Sequence, residues 1–168
     1  MARAIQSGSS LLELLIVFGT IALLMTMVIA QVPSIKRYAI RAEIEKLRSA
    51  FWYLGQRAQI ENKDFVISFD IPNSSYRVDD RQHKLPSCVR FGAAADIYGP
   101  PSDPKNRISS AITFKDNRAV FHPDGTISSG TIYLYAPESK NSYALTLPVG
   151  LVSYIRLYRY QREWKLIE

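Results

Sequence analysis

The chain has 168 residues, of which 47% are hydrophobic and 21% are charged. This length suits one modest domain with an additional segment, and the composition is that of a folded protein rather than a disordered tail. The formal net charge of +6 permits contact with nucleic acid or lipid headgroups but does not by itself indicate it. Cys88 is the single cysteine, so no disulfide forms within the chain, and its simplest interpretation is a small core residue.

A nearly continuous apolar stretch lies close to the amino terminus. It runs over 11–30 and is interrupted only by Glu13, Gly19, Thr20 and Thr26. A helix of this length, rising about 1.5 Å per residue, spans roughly 30 Å, which is one hydrocarbon core. The stretch therefore predicts a transmembrane helix, and it is longer than the apolar region of a cleaved secretory signal, which has about 7 to 15 residues.

Basic residues flank this stretch on both sides. Arg3 precedes it, and Lys36, Arg37 and Arg41 follow it. Because Lys and Arg are in excess on the cytoplasmic side of membrane helices, this count places the C-terminal part of the chain in the cytoplasm. A head outside the cytoplasm therefore requires a more specific signal that overrides the charge count.

The leader and the apolar stretch together resemble the class III signal of type IV prepilins and pseudopilins: a short polar leader ends in Gly8, and Glu13 is the fifth residue after that glycine. The resemblance implies that a prepilin peptidase cuts between Gly8 and Ser9 and methylates the new terminus at Ser9. It also implies a single-pass protein of the bacterial inner membrane with a periplasmic head. Its apolar helix, 9–32, is held in inner-membrane lipid before it joins a filament core.

Glu13 is an unusual residue for an apolar helix. An ionised side chain near the centre of a membrane helix costs about 2.5 to 3.5 kcal/mol or more. One interpretation is an acid near the helix end that extends toward the headgroups. In the other, the carboxylate pairs with the new amino terminus of a neighbouring subunit, since opposite charges attract strongly outside water, and the pair sets the axial register during assembly.

The segment 33–63 has the apolar period of a helix. Its apolar residues recur at alternating steps of four and three: Ile40, Ile44, Leu47, Phe51, Leu54 and Ala58. These residues form one helix face that is spaced for packing, so the segment predicts an amphipathic helix. Pro33 lacks a backbone N–H, so we predict a joint there between the two helical segments.

Beyond residue 64 the apolar period changes to two, which predicts a β-rich head over 64–168. The alternating stretches are FVISFDI, YRVD, AITFKD, RAVFHPDGTISSGTIYLYAP, SYALTLPV and LVSYIRLYRY. Turn residues such as PNSS at 72–75 and PDG at 123–125 separate them and favour antiparallel hairpins. The proline-rich segment 92–106 predicts an exposed loop.

The head has a likeness of its own. KLPSCVRF, ITFKDNRAVFHPDGTISSGTIYLY and SYALTLPVGLV are similar to the C-terminal domain shared by minor pseudopilin H of type II secretion systems and the fimbrial T minor pilins. This resemblance implies an α+β fold in which a long N-terminal helix, half transmembrane and half amphipathic, packs on an antiparallel β-sheet or a two-sheet β-sandwich. It also implies a structural subunit of a type II secretion pseudopilus or a type IV pilus, with other pilins or pseudopilins as partners.

The head sequence contains no motif for catalysis, metal binding or cofactor binding. Neither His83 nor His122 has a histidine or cysteine at ligand spacing, so we expect no metal site. The adjacent Asp79 and Asp80 suit a solvated turn. No nucleophile elbow, phosphate-binding loop or dinucleotide fingerprint is present, so we expect no cofactor and predict that the chain is not an enzyme.

The C-terminal stretch YIRLYRYQREWKLIE is the best candidate for a binding surface. Its basic and aromatic side chains can pair with phosphates and stack on bases, and the candidate contacts are Arg156, Tyr158, Arg159, Arg162, Trp164 and Lys165. The alternative is an ordinary strand with aromatic residues inside and basic residues outside. The resemblance offers DNA uptake in natural transformation as an alternative function, although GLVS at 150–153 lacks both arginines of the Gly-Arg-x-Arg motif in DNA-binding fimbrial T proteins.

Overall fold

The computed structural model describes residues 6–95, 97–99, 105–137, 141–148 and 154–167, with side-chain environments given for 10–26 and from 38 onward within those ranges. The chain divides into two compact units, Met1–Ile35 and Lys36–Glu168. The second unit contains all of the described strands. From here on the word head means this whole unit, Lys36–Glu168, which also includes the helical stretch 38–61.

Helical backbone geometry extends over Gln6–Glu61 (α1), but the two described stretches of its side chains differ in environment. Over 10–26 every side chain is exposed, whereas the stretch 38–61 buries one face within the head. The buried face contains Ile40, Ile44, Leu47, Phe51, Leu54 and Ala58, each with 0% exposure. The predicted packing face is therefore confirmed, because the helical period places these six side chains on one side.

The predicted fold class is wrong in its helical part. It placed one long N-terminal helix on the head. The helical residues whose side chains are described instead fall into two shorter stretches, 10–26 and 38–61, which belong to different compact units. The side chains of 38–61 contribute to the hydrophobic core of the second unit. The physical reason is that 38–61 has opposite apolar and polar faces, while 10–26 has no polar face to direct its packing.

The predicted transmembrane helix is also contradicted. No helix in the described part of the chain is long and apolar enough to cross a membrane. A crossing helix needs about 20 apolar residues, and residues 27–30, which completed the predicted span, lie outside the described side chains. The predicted single-pass location in a bacterial inner membrane, with a periplasmic head, is contradicted by the same finding. The predicted joint at Pro33 lies outside the described side chains as well.

Nine strands follow α1 along the described part of the chain. They are β1 Phe65–Asp70, β2 Ser75–Val78, β3 Arg81–Lys84, β4 Arg90–Phe91, β5 Arg118–Phe121, β6 Gly130–Tyr135, β7 Ser142–Leu147, β8 Arg156–Tyr160 and β9 Trp164–Leu166. A short 3-10 helix, Lys115–Asn117, precedes β5. The strands pair antiparallel in two sheets, with the orders β3-β2-β1-β5 and β4-β6-β7-β8-β9.

One hydrophobic core joins the helical stretch 38–61 to both sheets. The ring of Phe51 lies 5.1 Å from that of Phe121 on β5 and 6.5 Å from that of Phe69 on β1. Leu145 on β7 and its register partner Leu157 on β8 extend the same core into the second sheet. The helix therefore fixes the relative positions of the two sheets through its buried face.

Gly130, the first residue of β6, permits a close approach in this core. A Cβ atom at Gly130 would lie 2.6 Å from the ring of Phe114. Phe114 is itself buried in the core, so its ring has little room to move. The position therefore requires glycine if Phe114 is to pack where it does.

The second sheet is also covered on the face that points away from the helix. Because side chains alternate along a strand, Tyr133 points away from the core side of β6, yet it is buried. The ring of Trp164 lies 5.9 Å from that of Tyr133, and its indole N–H donates to the carbonyl oxygen of Tyr98 at 3.1 Å. Ile97, in the segment predicted to be an exposed loop, is buried, so that prediction is wrong for this residue.

Candidate functional site

The predicted processing and assembly residues lie within the helical backbone of α1. The side chains of Gly8 and Ser9 lie outside the described ones, while the side chain of Glu13 is exposed. Glu13 is the only charged residue between positions 10 and 26. Cleavage, methylation and the pairing of Glu13 with a neighbouring subunit stay predictions.

The helical stretch 10–26 exposes apolar side chains around its whole circumference. Leu15, Phe18 and Leu23 are each at least 64% exposed. The hydroxyls of Thr20 and Thr26 donate to carbonyl oxygens three residues earlier, at 2.8 and 2.7 Å. The polarity of these two hydroxyls is therefore satisfied within the helix itself. Glu13 is the one charged group on the otherwise apolar surface of this stretch.

The six candidate contacts near the C-terminus do not share one face of the second sheet. Arg156, Tyr158 and Trp164 lie on the face opposite Leu157, because side chains alternate along β8 and Trp164 pairs with Tyr160. The remaining three are placed elsewhere: Arg159 and its register partner Lys165 are on the face of Leu157, and Arg162 follows the end of β8. The residues are thus close in sequence but divided in space.

Trp164 and Lys165, like Arg156, which is described below, have partners within the head. Trp164 packs against Tyr133 and Tyr160, and its indole N–H is bonded to the segment at Tyr98. Lys165 forms an exposed ion pair with Glu163 at 3.4 Å, which contributes little to stability. Trp164 therefore has a structural role in covering the sheet, and a contact between these residues and DNA stays a prediction.

A groove lies between the helical stretch 38–61 and the start of β8. It has a volume of about 430 Å³ and is lined by Arg48, Ser49, Trp52, Tyr154 and Ile155; we call it the aromatic groove. Trp52 is 66% exposed and Tyr154 is 46% exposed. The groove was not recognised from the sequence, because its two walls are about 100 residues apart and only the exposed indole of Trp52 on the polar side of the helix could have indicated it.

Two arginines near the aromatic groove differ in their partners. The Nε of Arg48, a lining residue, pairs with Glu45 at 3.0 Å. Arg156 is not a lining residue, but it contacts one that is: its guanidinium lies 4.7 Å from the centre of the Tyr154 ring and donates to the Tyr154 hydroxyl at 2.8 Å. Arg156 is therefore held in place by an aromatic ring rather than by a carboxylate.

A buried carboxylate on α1, Glu43, was also missed. It is 3% exposed, pairs with the Nζ of Lys46 at 3.1 Å, and accepts a hydrogen bond from the Tyr76 hydroxyl at 3.3 Å. Burial and this carboxylate raise the pKa of Tyr76, so the phenol remains a donor. The sequence held one signal, since Glu43 is three residues after Ile40 and four before Leu47, on the apolar side of the helix.

A second, polar cleft of about 600 Å³ lies beside the β2–β3 turn. Its lining residues are Tyr53, Arg57, Val78, Asp79, Asp80, Arg81 and His83. Arg57 dominates it, because its guanidinium pairs with Glu61 and with Asp79, the latter at 2.6 Å. The bond to Glu61 raises the pKa of Arg57, and bonds from Lys63 and Arg57 lower the pKa of Glu61. These ion pairs tie the end of the helix to the turn.

The two histidines are separated in the head. His83 stacks on the ring of Tyr76 at 5.3 Å, and the Nδ1 of His122 lies 3.0 Å from a carboxylate oxygen of Asp64. Within the described residues, no group of three or more ligating side chains is placed to hold a metal ion.

The chain matches no family model, no curated protein and no solved structure with which it was compared. A functional proposal therefore depends on the motif around Gly8 and Glu13 and on the surfaces described above.

Proposed function

We propose that this chain is a noncatalytic minor pilin or pseudopilin. In this proposal a prepilin peptidase cuts it after Gly8, and the chain joins a type II secretion pseudopilus or a type IV pilus through its N-terminal helix. The observation that carries the proposal is the exposed apolar surface of 10–26. A helix that is apolar on every side is typical of an element covered by neighbours.

The N-terminal helices of other pilins or pseudopilins supply that cover in the proposal. Burying a large apolar side chain is worth about 1.5 to 3 kcal/mol relative to exposure. Leu11, Leu15 and Phe18 are among several such side chains on this stretch, each at least 66% exposed. Their combined burial favours association even after the entropic cost of bringing the subunits together.

Glu13 determines how far one N-terminal helix is displaced along the axis of its neighbour. A carboxylate enclosed among apolar helices is costly unless a positive charge pairs with it. Cleavage after Gly8 creates such a charge at the amine of Ser9, which precedes Glu13 by four residues, or roughly 6 Å along a helix. A neighbour displaced by about one helical turn therefore brings its amine beside this carboxylate.

Glu13→Gln tests the pair, because glutamine keeps the size of the side chain and removes its charge. The variant is produced together with the peptidase and the other filament subunits, and its amount in sheared, sedimented filaments is measured. We expect a decrease of more than about tenfold, since breaking a buried charge pair costs several kcal/mol.

Glu163→Gln is the matched control, because Glu163 is an exposed acid of the head. It is expected to enter filaments as the unmodified chain does. Equal incorporation of Glu13→Gln and the unmodified chain would argue against the proposed pair.

A further inference from the structure

We infer that the aromatic groove of the head binds an acidic peptide segment of another protein, in which a carboxylate stands next to an apolar or aromatic side chain. The described residues that line the groove all belong to the head. The inference therefore does not depend on how the stretch 10–26 assembles.

The walls of the groove are suited to an apolar side chain. Trp52 is 66% exposed, although its neighbours Phe51 and Leu54 are fully buried, so the indole is not needed for the core. Tyr154 forms the opposite wall, and Ile155 is partly buried against the core. Exposed Trp, Tyr and Arg side chains are the types that contribute most to protein interfaces. A volume of about 430 Å³ accommodates side chains of a peptide rather than a folded domain.

A positive charge beside the Tyr154 wall of the groove favours an acidic partner. The guanidinium of Arg156 is oriented by Tyr154, and among the described residues no carboxylate lies within ion-pair distance of it. A preoriented guanidinium favours bidentate contact with a carboxylate. Because the chain carries a net charge of +6, a second copy is a poorer complement than an acidic protein.

The arrangement favours a peptide over a nucleic acid. A nucleic-acid strand requires a track of cations for successive phosphates. Here Arg48 is paired with Glu45, and Arg159 is on the opposite face of β8 from Arg156, so the cations do not form such a track. One oriented guanidinium beside aromatic walls matches one carboxylate with an adjacent apolar side chain.

The test measures fluorescence anisotropy of a labelled synthetic peptide, rich in glutamate with one central phenylalanine, titrated with the full-length chain in a non-ionic detergent. We expect saturable binding. We also expect Arg156→Gln to weaken it about tenfold, because the variant loses one hydrogen bond between charged groups. Trp52→Ala is expected to weaken binding at least as much. Trp52→Phe, which keeps an aromatic ring, is expected to retain most of the affinity.

Matched controls separate the groove from general charge and hydrophobicity. Arg118→Gln removes an exposed arginine of β5, and Ile60→Ala removes an exposed apolar side chain of the same helix; both are expected to bind the peptide like the unmodified chain. A peptide with lysines in place of the glutamates, and one with serine in place of the phenylalanine, are expected to bind at least tenfold more weakly.

Three results would overturn the inference. The first is unchanged binding in both Arg156→Gln and Trp52→Ala, and the second is equal binding of the glutamate and lysine peptides. The third is binding of single-stranded oligothymidylate that depends on Arg156 and is tighter than binding of the glutamate-rich peptide. That result would assign the groove to nucleic acid instead. Far-ultraviolet circular dichroism confirms that each variant is folded, and all of the substituted side chains are at least partly exposed.

Discussion

Tyr133 shows how the fold changes a single ionisable group. It lies on the face of the second sheet that Trp164 covers, and it is 2% exposed. Burial raises the pKa of Tyr133 to about 12, from 10.0 in its ordinary environment. The phenol therefore keeps its proton in the folded chain at a pH where the unfolded chain loses it.

Tyr133→Phe tests this effect through stability in alkali. Between about pH 10 and pH 12 the unfolded chain binds fewer protons than the folded chain, so the free energy of unfolding falls as the pH rises. This contribution is fully present below pH 10. Phenylalanine has no proton to lose. We therefore expect the free energy of unfolding of the variant to fall less steeply with pH, by up to about 1.4 kcal/mol per pH unit. Urea unfolding at several pH values measures it, and identical slopes would contradict the assignment.

The residues that sequence patterns did not reveal are those whose partners are distant in the chain. Ile97 was assigned to an exposed loop, because nothing in its local sequence shows that Trp164 secures the adjacent residue Tyr98. Likewise, the division of Arg156 and Arg159 between two faces follows from strand register. Register becomes visible only when both strands of a pair are known.

At the scale of elements, one helical stretch organises the head. The stretch 38–61 buries its apolar face against both sheets, while Trp52 and Ile60 lie on its exposed side. The face was predictable because a period of 3.6 residues is a local property of the sequence. By contrast, the stretch 10–26 has no such pattern, and the prediction that the whole helix packs on the head was wrong.

Ile44→Ala and Ile60→Ala form a matched pair on this helix. Ile44 is 0% exposed and Ile60 is 81% exposed, so the same substitution is made in the core and at the surface. We expect Ile44→Ala to lower the free energy of unfolding by about 2 to 5 kcal/mol, and Ile60→Ala to change it by less than about 0.5 kcal/mol. Urea unfolding measures both; comparable losses would contradict the assigned core face.

The strands were predictable where one face is buried. FVISFD forms β1 and SYALTL forms β7, because alternation of apolar and polar residues marks a half-buried strand. RQHK forms β3 without alternation, since this edge strand exposes all four side chains. AITFKD, predicted as a strand, forms only an isolated bridge at Ile112, and positive φ angles at Asp116 and Asn117 turn the chain at its end.

At the scale of the whole molecule, the chain has two regions with different surfaces. The head has a buried hydrophobic core and exposes arginines and some apolar and aromatic side chains, whereas the stretch 10–26 leaves its apolar side chains uncovered. In the account proposed here, the first surface recruits an acidic partner and the second surface joins neighbouring subunits. The motif around Gly8 and Glu13 connects the second surface to a defined processing event.

Mass spectrometry of the protein isolated from the cells that produce it determines whether the chain is cut after Gly8. We expect a chain that begins at Ser9, carries a methyl group on its terminal amine and lacks residues 1–8. The same measurement on Gly8→Val is the matched comparison, and it is expected to show the uncut chain, since a bulky side chain at the cleavage position obstructs the peptidase. An unmodified protein that retains Met1, or begins at any residue other than Ser9, would contradict the proposed processing and assembly.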